Sequence, residues 1–179
     1  GQGPGSRRLL SALTAVALAL GSAGAGLLVA PAAYAAPTLL TVTTTTDVSG
    51  CDASAPLSLR KALCHAATAG GEWRIDVPAG TYLVDPANGP LTIAPGVTPP
   101  AGTVIDVVGA GAATTSIDGQ RLTRILDVDP DGVGGFAVSL SGVTLRNGLP
   151  TDDFGGGAII AGNMASNPAS LTLADCSVT

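Results

Sequence analysis

From Leu91 to Thr179 apolar and polar residues alternate in short bursts. "LTIAPG", "TVIDVVGAG", "TSIDGQ", "RILDVD", "VSLSGVTLRNG", "GGAII" and "SLTLADCSVT" each hold a brief alternating or apolar run. This is the period-two signature of strands that bury one face. Most runs close on Gly, Asn or Asp, residues that turn a chain. Comparable points recur at Val104, Ile125 and Val143, roughly 20 residues apart, and the next strand, at Leu171, follows after a longer interval. A loop is therefore expected to bulge before Leu171. Strands this short bury little as isolated hairpins. Stacked as successive coils of a solenoid, about 4.8 Å apart, they bring their inward side chains into Val/Ile/Leu ladders around one continuous core. The spacing predicts coils of about 20 residues, five or six in number. A β-sandwich is the competing architecture, but it needs longer strands and more even spacing.

The chain ahead of this array is different. "TLLTVTTTTDVSG" (38–50) reads as a strand ending in a turn, and "WRIDVPAGTYLV" (73–84) as two strands about a Pro-Ala-Gly turn. Between them, "CDASAPLSLRKALCHAATAGG" shifts to helical periodicity. Ser58 is placed to cap a helix running through about Ala67, and Gly70-Gly71 to stop it. Leu59, Leu63 and Ala66 share one face of that helix, while Arg60, Lys61 and His65 point elsewhere. The first coil of a solenoid exposes an apolar interior and a row of unpaired backbone groups. The helix is expected to cover them. The fold class read from the pattern is all-β, a solenoid with a short N-terminal capping helix.

Composition agrees with this reading. Of the 179 residues 46% are apolar but only 3% aromatic, so the core must be built from Val, Ile, Leu and Ala. Charged residues make up 12%, about half the usual share, which disfavours a helical bundle with its charged outer faces. Residues 1–35 read as a signal peptide. Arg7 and Arg8 precede an apolar run from Leu9 to Leu20, and "PAAYA" supplies Ala33 and Ala35 as a small-x-small cleavage signature. Cleavage is expected after Ala35. The competing reading is an uncleaved anchor, because the stretch from Leu9 to Ala30 carries no charge and is long enough to span a bilayer. "SRRLL" leaves the export route open.

Residues 1–35 hold two of the eight basic residues and none of the thirteen acids, so the remainder carries six basic against thirteen acidic side chains, a formal net of −7. That balance excludes a basic nucleic-acid footprint and an anionic lipid surface as partners. The expected location is secreted or cell-surface, with no membrane span after signal cleavage. Three cysteines suit an exported protein: Cys51 and Cys64 are expected to form a disulfide, and Cys176, in an alternating strand, a buried unreactive thiol.

"LSLRKAL" (57–63) resembles the signature of the CSLREA domain, an N-terminal module of secreted bacterial proteins, matching at Ser58, Leu59, Arg60 and Ala62. Leu57 stands where that signature has Cys, and Lys61 where it has Glu. The downstream run resembles right-handed parallel β-helix repeats of the pectin-lyase-like type. "NGLPTDDFGGGAII" with "LTLADCSVT" is similar to the Gly-Gly-Ala-Ile repeats of chlamydial polymorphic outer membrane proteins. These resemblances cover residues 38–179. They imply a right-handed parallel β-helix and an exported location, with residues 36–90 forming the cap and first strands and 91–179 the coils. They imply no single activity, because such proteins include polysaccharide-cleaving enzymes, adhesins and surface proteins.

"DVDPDG" (127–132) is the sharpest chemical motif. Asp127, Asp129 and Asp131 alternate and are closed by Gly132, as in the first half of a calcium loop. The twelfth position is Val138 rather than a bidentate Glu, and a solvated turn is the alternative. Asp152 and Asp153 fall in the expected bulge, as a paired carboxylate in a ligand-binding loop or as turn residues. Arg121, Arg124 and Arg146 can neutralise a uronate carboxylate or serve as surface charges. His65 is the only histidine, and no nucleophile elbow or phosphate loop is present. No catalytic residue is assigned and no cofactor is expected beyond calcium at the three aspartates. The chain closes on "LADCSVT", a strand without a polar cap, and is expected to be a truncated array or one covered by another chain. The function expected is an exported structural, adhesive or polysaccharide-binding module, with extracellular polysaccharide or a cell-surface molecule as partner. The alternative is the N-terminal part of a polysaccharide lyase or glycoside hydrolase.

Overall fold

A computed structural model describes residues 36–94, 96, 98–150, 155–162 and 169–179. Strand β1 (Thr38–Thr41) is followed by helix α1 (Leu59–Ala69). Three strands, β2 (Glu72–Val77), β3 (Gly80–Leu83) and β4 (Leu91–Ile93), then make the first complete coil. The second coil is β5 (Val104–Gly109), β6 (Thr115–Asp118) and β7 (Leu126–Val128), and the third is β8 (Ala137–Ser141), β9 (Thr144–Arg146) and β10 (Ile159–Ala161). Strands β11 (Ser170–Ala174) and β12 (Ser177–Val178) belong to the next. The strands stack as three parallel sheets, β1-β2-β5-β8-β11, β3-β6-β9-β12 and β4-β7-β10. The described residues form a parallel β-solenoid of about four turns with one α-helix.

The coil is longer than the strand spacing suggests. Asp106 pairs with Ser139 at a sequence separation of 33. Ile105 pairs with Val138, and Val138 with Leu171, at the same step. Val104 opens β5, whereas Ile125 precedes β7 and Val143 precedes β9, so the shorter recurrences measure strand-to-strand steps on different sheets. Four turns then replace the five or six expected from shorter coils.

The inward ladders are those the alternation implies. Ile75, Val107 and Leu140 stack on the first sheet, and Tyr82, Ile117 and Leu145 on the second. Leu91 and Leu126 stack on the third, and all of these side chains are buried. Each contributes about 1.5–3 kcal/mol by leaving water. At one corner the coils come too close for a side chain: a Cβ on Gly109 would collide with the Gly142 carbonyl oxygen.

Helix α1 closes the end of this core. Ser58 caps it, its hydroxyl accepting from the Lys61 amide at 3.2 Å and donating to the Val48 carbonyl at 2.7 Å. Gly70, at φ 71°, ends it. Leu59, Leu63, Ala66 and Ala67 are buried against the coils. The gap left between Leu59 and Leu63 of the helix and the ladders is about 10 Å³, about the least that holds one water. Among the described residues no helix is long and apolar enough to cross a membrane. The expected signal peptide, residues 1–35, lies outside the described residues.

Candidate functional site

The site is built around two cations on α1. Arg60 Nε and Nη2 donate to Asp47 Oδ1 and Oδ2 at 2.8 and 2.7 Å, the planar fork-on-carboxylate arrangement. The same guanidinium donates to the carbonyls of Pro90, Gly89 and Asn88 at 2.6, 2.7 and 3.2 Å. Asp47 Oδ2 also accepts from the Asp85 amide at 2.9 Å. One ion pair thus binds three segments: the loop after β1, the helix, and the corner between β3 and β4.

Lys61, expected to point away from the Leu59–Leu63–Ala66 face, is itself buried, and its Nζ reaches Asp52 Oδ1 at 2.8 Å and the Ser54 carbonyl at 2.9 Å. Lys61, with the Ser54 hydroxyl and amide, holds the Asp52 carboxyl far below the usual carboxylate range. The loop carrying Asp52 and Ser54 is also tied to the helix by the Cys51–Cys64 disulfide. His65 packs edge-on to Trp73, with ring centroids 5.2 Å apart, and its Nδ1 lies 3.2 Å from the Cys51 carbonyl oxygen. The only histidine is therefore part of the cap.

Beside the clamp, a groove of about 430 Å³ opens on the outer face of the second sheet. Thr45, Thr46 and Asp47 of the cap loop form one wall. Thr81 and Leu83 of β3 form the floor, and Gln120 and Leu122, beyond β6, close the other side. Gln120 and Arg121 are successive non-glycine residues at φ 58° and 59°, a conformation costing about 1–3 kcal/mol per residue that persists only where its surroundings fix it. The Gln120 amide is held by Asp118 Oδ1 at 2.8 Å, and its Nε2 donates to the Val84 carbonyl at 2.9 Å. Leu83 and Leu122 are 48% and 56% exposed. None of these groove residues stands out in the sequence as a site. The available signal is Leu83, an apolar side chain at an outward phase of its strand.

The aspartates of "DVDPDG" do not meet at a point. Asp129, at φ 60° and fully buried, accepts the Val133 and Gly134 amides on its two carboxylate oxygens at 2.8 and 3.0 Å. Asp131 accepts the Gly96 amide of the neighbouring coil at 2.7 Å. Asp127 sits 3.6 Å from Arg124 Nη1. Among the described residues no three His, Cys, Asp or Glu side chains are grouped to hold a metal ion. The motif is a turn whose first buried carboxylate binds its own backbone. Asp152 and Asp153 lie outside the described residues.

The three arginines are dispersed. Buried Arg124 donates to the Gly156 and Gly155 carbonyls, both at 2.9 Å. Arg146 donates to Asp118 Oδ2 at 2.9 Å, and Arg121 is exposed. Burial pushes the Asp118 carboxyl up, but the Gln120 amide, the Asn147 side chain and Arg146 together hold it below its usual range. Cys176, expected to be buried, is half-buried, its Sγ 3.3 Å from the Leu140 carbonyl oxygen. Comparison of the chain with known families, with curated proteins and with solved structures finds no match in any of the three.

Proposed function

We propose that the chain is an exported module of the CSLREA-like, right-handed parallel β-helix kind, secreted or displayed at the cell surface, which binds extracellular polysaccharide without cleaving it. The observation that carries the reading is the cap. A disulfide joins the Cys51 loop to the helix at the solenoid's end, and structural disulfides persist in oxidising compartments. Polysaccharide as the ligand is supported by a regular outer sheet surface with an open groove of about 430 Å³ at one end. The absence of cleavage is supported by the engagement of the buried acids: Asp47 holds Arg60 and Asp129 holds two backbone amides.

Incubation with immobilised and soluble polysaccharides tests this, with retention and product release followed together. Retention without new reducing ends or unsaturated sugars is expected, with or without added calcium. Time-dependent release of product would replace binding by the lyase or hydrolase reading. Failure to retain the protein on any polymer would remove polysaccharide as its partner.

A further inference from the structure

The groove beside the cap has a chemical character that narrows its ligand. Its wall and floor offer the hydroxyls of Thr45, Thr46 and Thr81, and its apolar surfaces are Leu83, Leu122 and the Pro86 ring. Gln120 lines the groove and spends an N–H on the Val84 carbonyl, which leaves its Oε1 available as an acceptor. Small hydroxyls around exposed apolar faces match a sugar ring, which carries hydroxyls at its rim and C–H bonds on its faces. The cavity falls in the size range of small-ligand sites.

Charge then decides between classes of glycan. The ionisable groups lining the groove among the described residues are Asp47 and Asp85, with no Lys or Arg. Asp47 is already neutralised by Arg60, and Asp85 Oδ1 accepts the Ala87 amide at 2.9 Å. Inside the groove a polyuronate would meet the Asp47 and Asp85 carboxylates, on a chain whose acids outnumber its bases. The nearby Arg60 is engaged by Asp47, and Arg121 and Arg146 lie outside the groove lining. A neutral polymer meets no such penalty.

The outer face of the same sheet continues the pattern. Thr81 pairs with Ser116, Ser116 with Thr144, and Thr144 with Ser177, so one outward hydroxyl residue occurs per coil. The first two are linked, Ser116 Oγ donating to Thr81 Oγ1 at 3.2 Å. The rungs repeat about every 4.8 Å along the axis, close to the rise per residue of an extended glycan chain. On the first sheet the corresponding outward ladder is charged at Arg74 and Asp106 before it reaches Ser139 and Thr172. On the second sheet the charged side chains, Asp118 and Arg146, instead pair with each other on the neighbouring outward ladder beside Leu83.

We propose that the groove between the cap loop and β3 binds a segment of a neutral, hydroxyl-rich polysaccharide, whose chain runs on along the Thr81–Ser116–Thr144–Ser177 ladder. This rests on the polysaccharide-binding reading above and names both the site and the ligand class within it.

The test is affinity electrophoresis in gels containing a mixed-linkage β-glucan, a glucomannan, a xylan or polygalacturonate. It compares the wild-type protein with Thr81→Glu, Leu122→Glu and, on the outward face of the first sheet, Thr172→Glu. All three positions are exposed, and thermal melts confirm folding. At least one neutral polymer is expected to retard the wild type, with about a tenfold weaker affinity in T81E and L122E and none lost in T172E. Polygalacturonate is expected to retard none of them. Retardation that the groove variants leave unchanged, or that only polygalacturonate produces, overturns the proposal while leaving polysaccharide binding intact. No retardation by any polymer overturns both.

Discussion

Arg60 and Asp47 face each other through two parallel hydrogen bonds of 2.8 and 2.7 Å, and both side chains are nearly buried, at 11% and 5% exposure. They stand at a sequence separation of 13, yet the pair fixes the cap helix to the first coil and positions one wall of the groove. Cap and groove are therefore one construction.

Replacing Arg60 by Met leaves Asp47 buried without its counter-ion. Loss of one partner of a buried pair costs about 3–5 kcal/mol, read as a lower urea midpoint with an unchanged slope. Arg60→Lys is expected to recover little, since one ammonium cannot span both carboxylate oxygens while reaching the three carbonyls. An unaltered midpoint in either variant would mean the clamp is not structural.

The Cys51–Cys64 bridge closes a loop of sequence separation 13, for which loss of the cross-link is expected to cost about 3 kcal/mol. Chemical denaturation of the wild type against Cys51→Ser/Cys64→Ser measures it. The Lys61–Asp52 contact spans the same loop, so the double variant should still fold with its helix in place, visible in its circular dichroism.

Stability should fall in acid. The Asp118 carboxyl is held below its ordinary value, so its contribution is complete above the unfolded pKa of about 4. That contribution is lost as the pH drops through the folded value. Thermal melts between neutral pH and about pH 2 should show a steeper decline for the wild type than for Asp118→Asn, which has already lost the charge. Parallel curves would remove Asp118 as a source of the decline.

Ladder positions should separate sharply by phase. Ile105→Ala, at a fully buried side chain, is expected to cost about 2–5 kcal/mol, whereas Thr172→Ala, facing out, should stay within about 0.5 kcal/mol. Gly109→Ala should be destabilising by about 1–3 kcal/mol, because its methyl would press on the Gly142 carbonyl of the next coil. Equal effects at Ile105 and Thr172 would contradict the inward and outward assignment.

Much of this architecture is legible in the chain. Alternation around Ile105, Ile117 and Leu140 marks strands that bury one face, and Ser58 with Gly70 brackets the helix. The coil length is not legible, because Val104, Ile125 and Val143 look alike although each opens or directly precedes a strand of a different sheet. Arg60 and Lys61 sit at helical phases that suggest solvent. Their partners, Asp47 and Ser54, lie in loops whose path periodicity does not encode. Asp129 resembles a cation ligand because alternation is read along an extended chain, and at φ 60° the chain instead folds back so that the carboxylate meets its own amides. The groove is hidden for a related reason: Thr45, Thr81 and Leu122 converge only when cap and coil are assembled.

The most direct test of that assembly's function is a chemical-shift titration of the labelled protein with neutral gluco- and xylo-oligosaccharides. Saturable shifts are predicted at the amides of Thr45, Thr46, Thr81, Leu83, Gln120 and Leu122, while Arg74, Asp106 and Ser139 on the first sheet stay still. Shifts confined to the first sheet, or none at saturating sugar, would contradict a glycan site beside the cap.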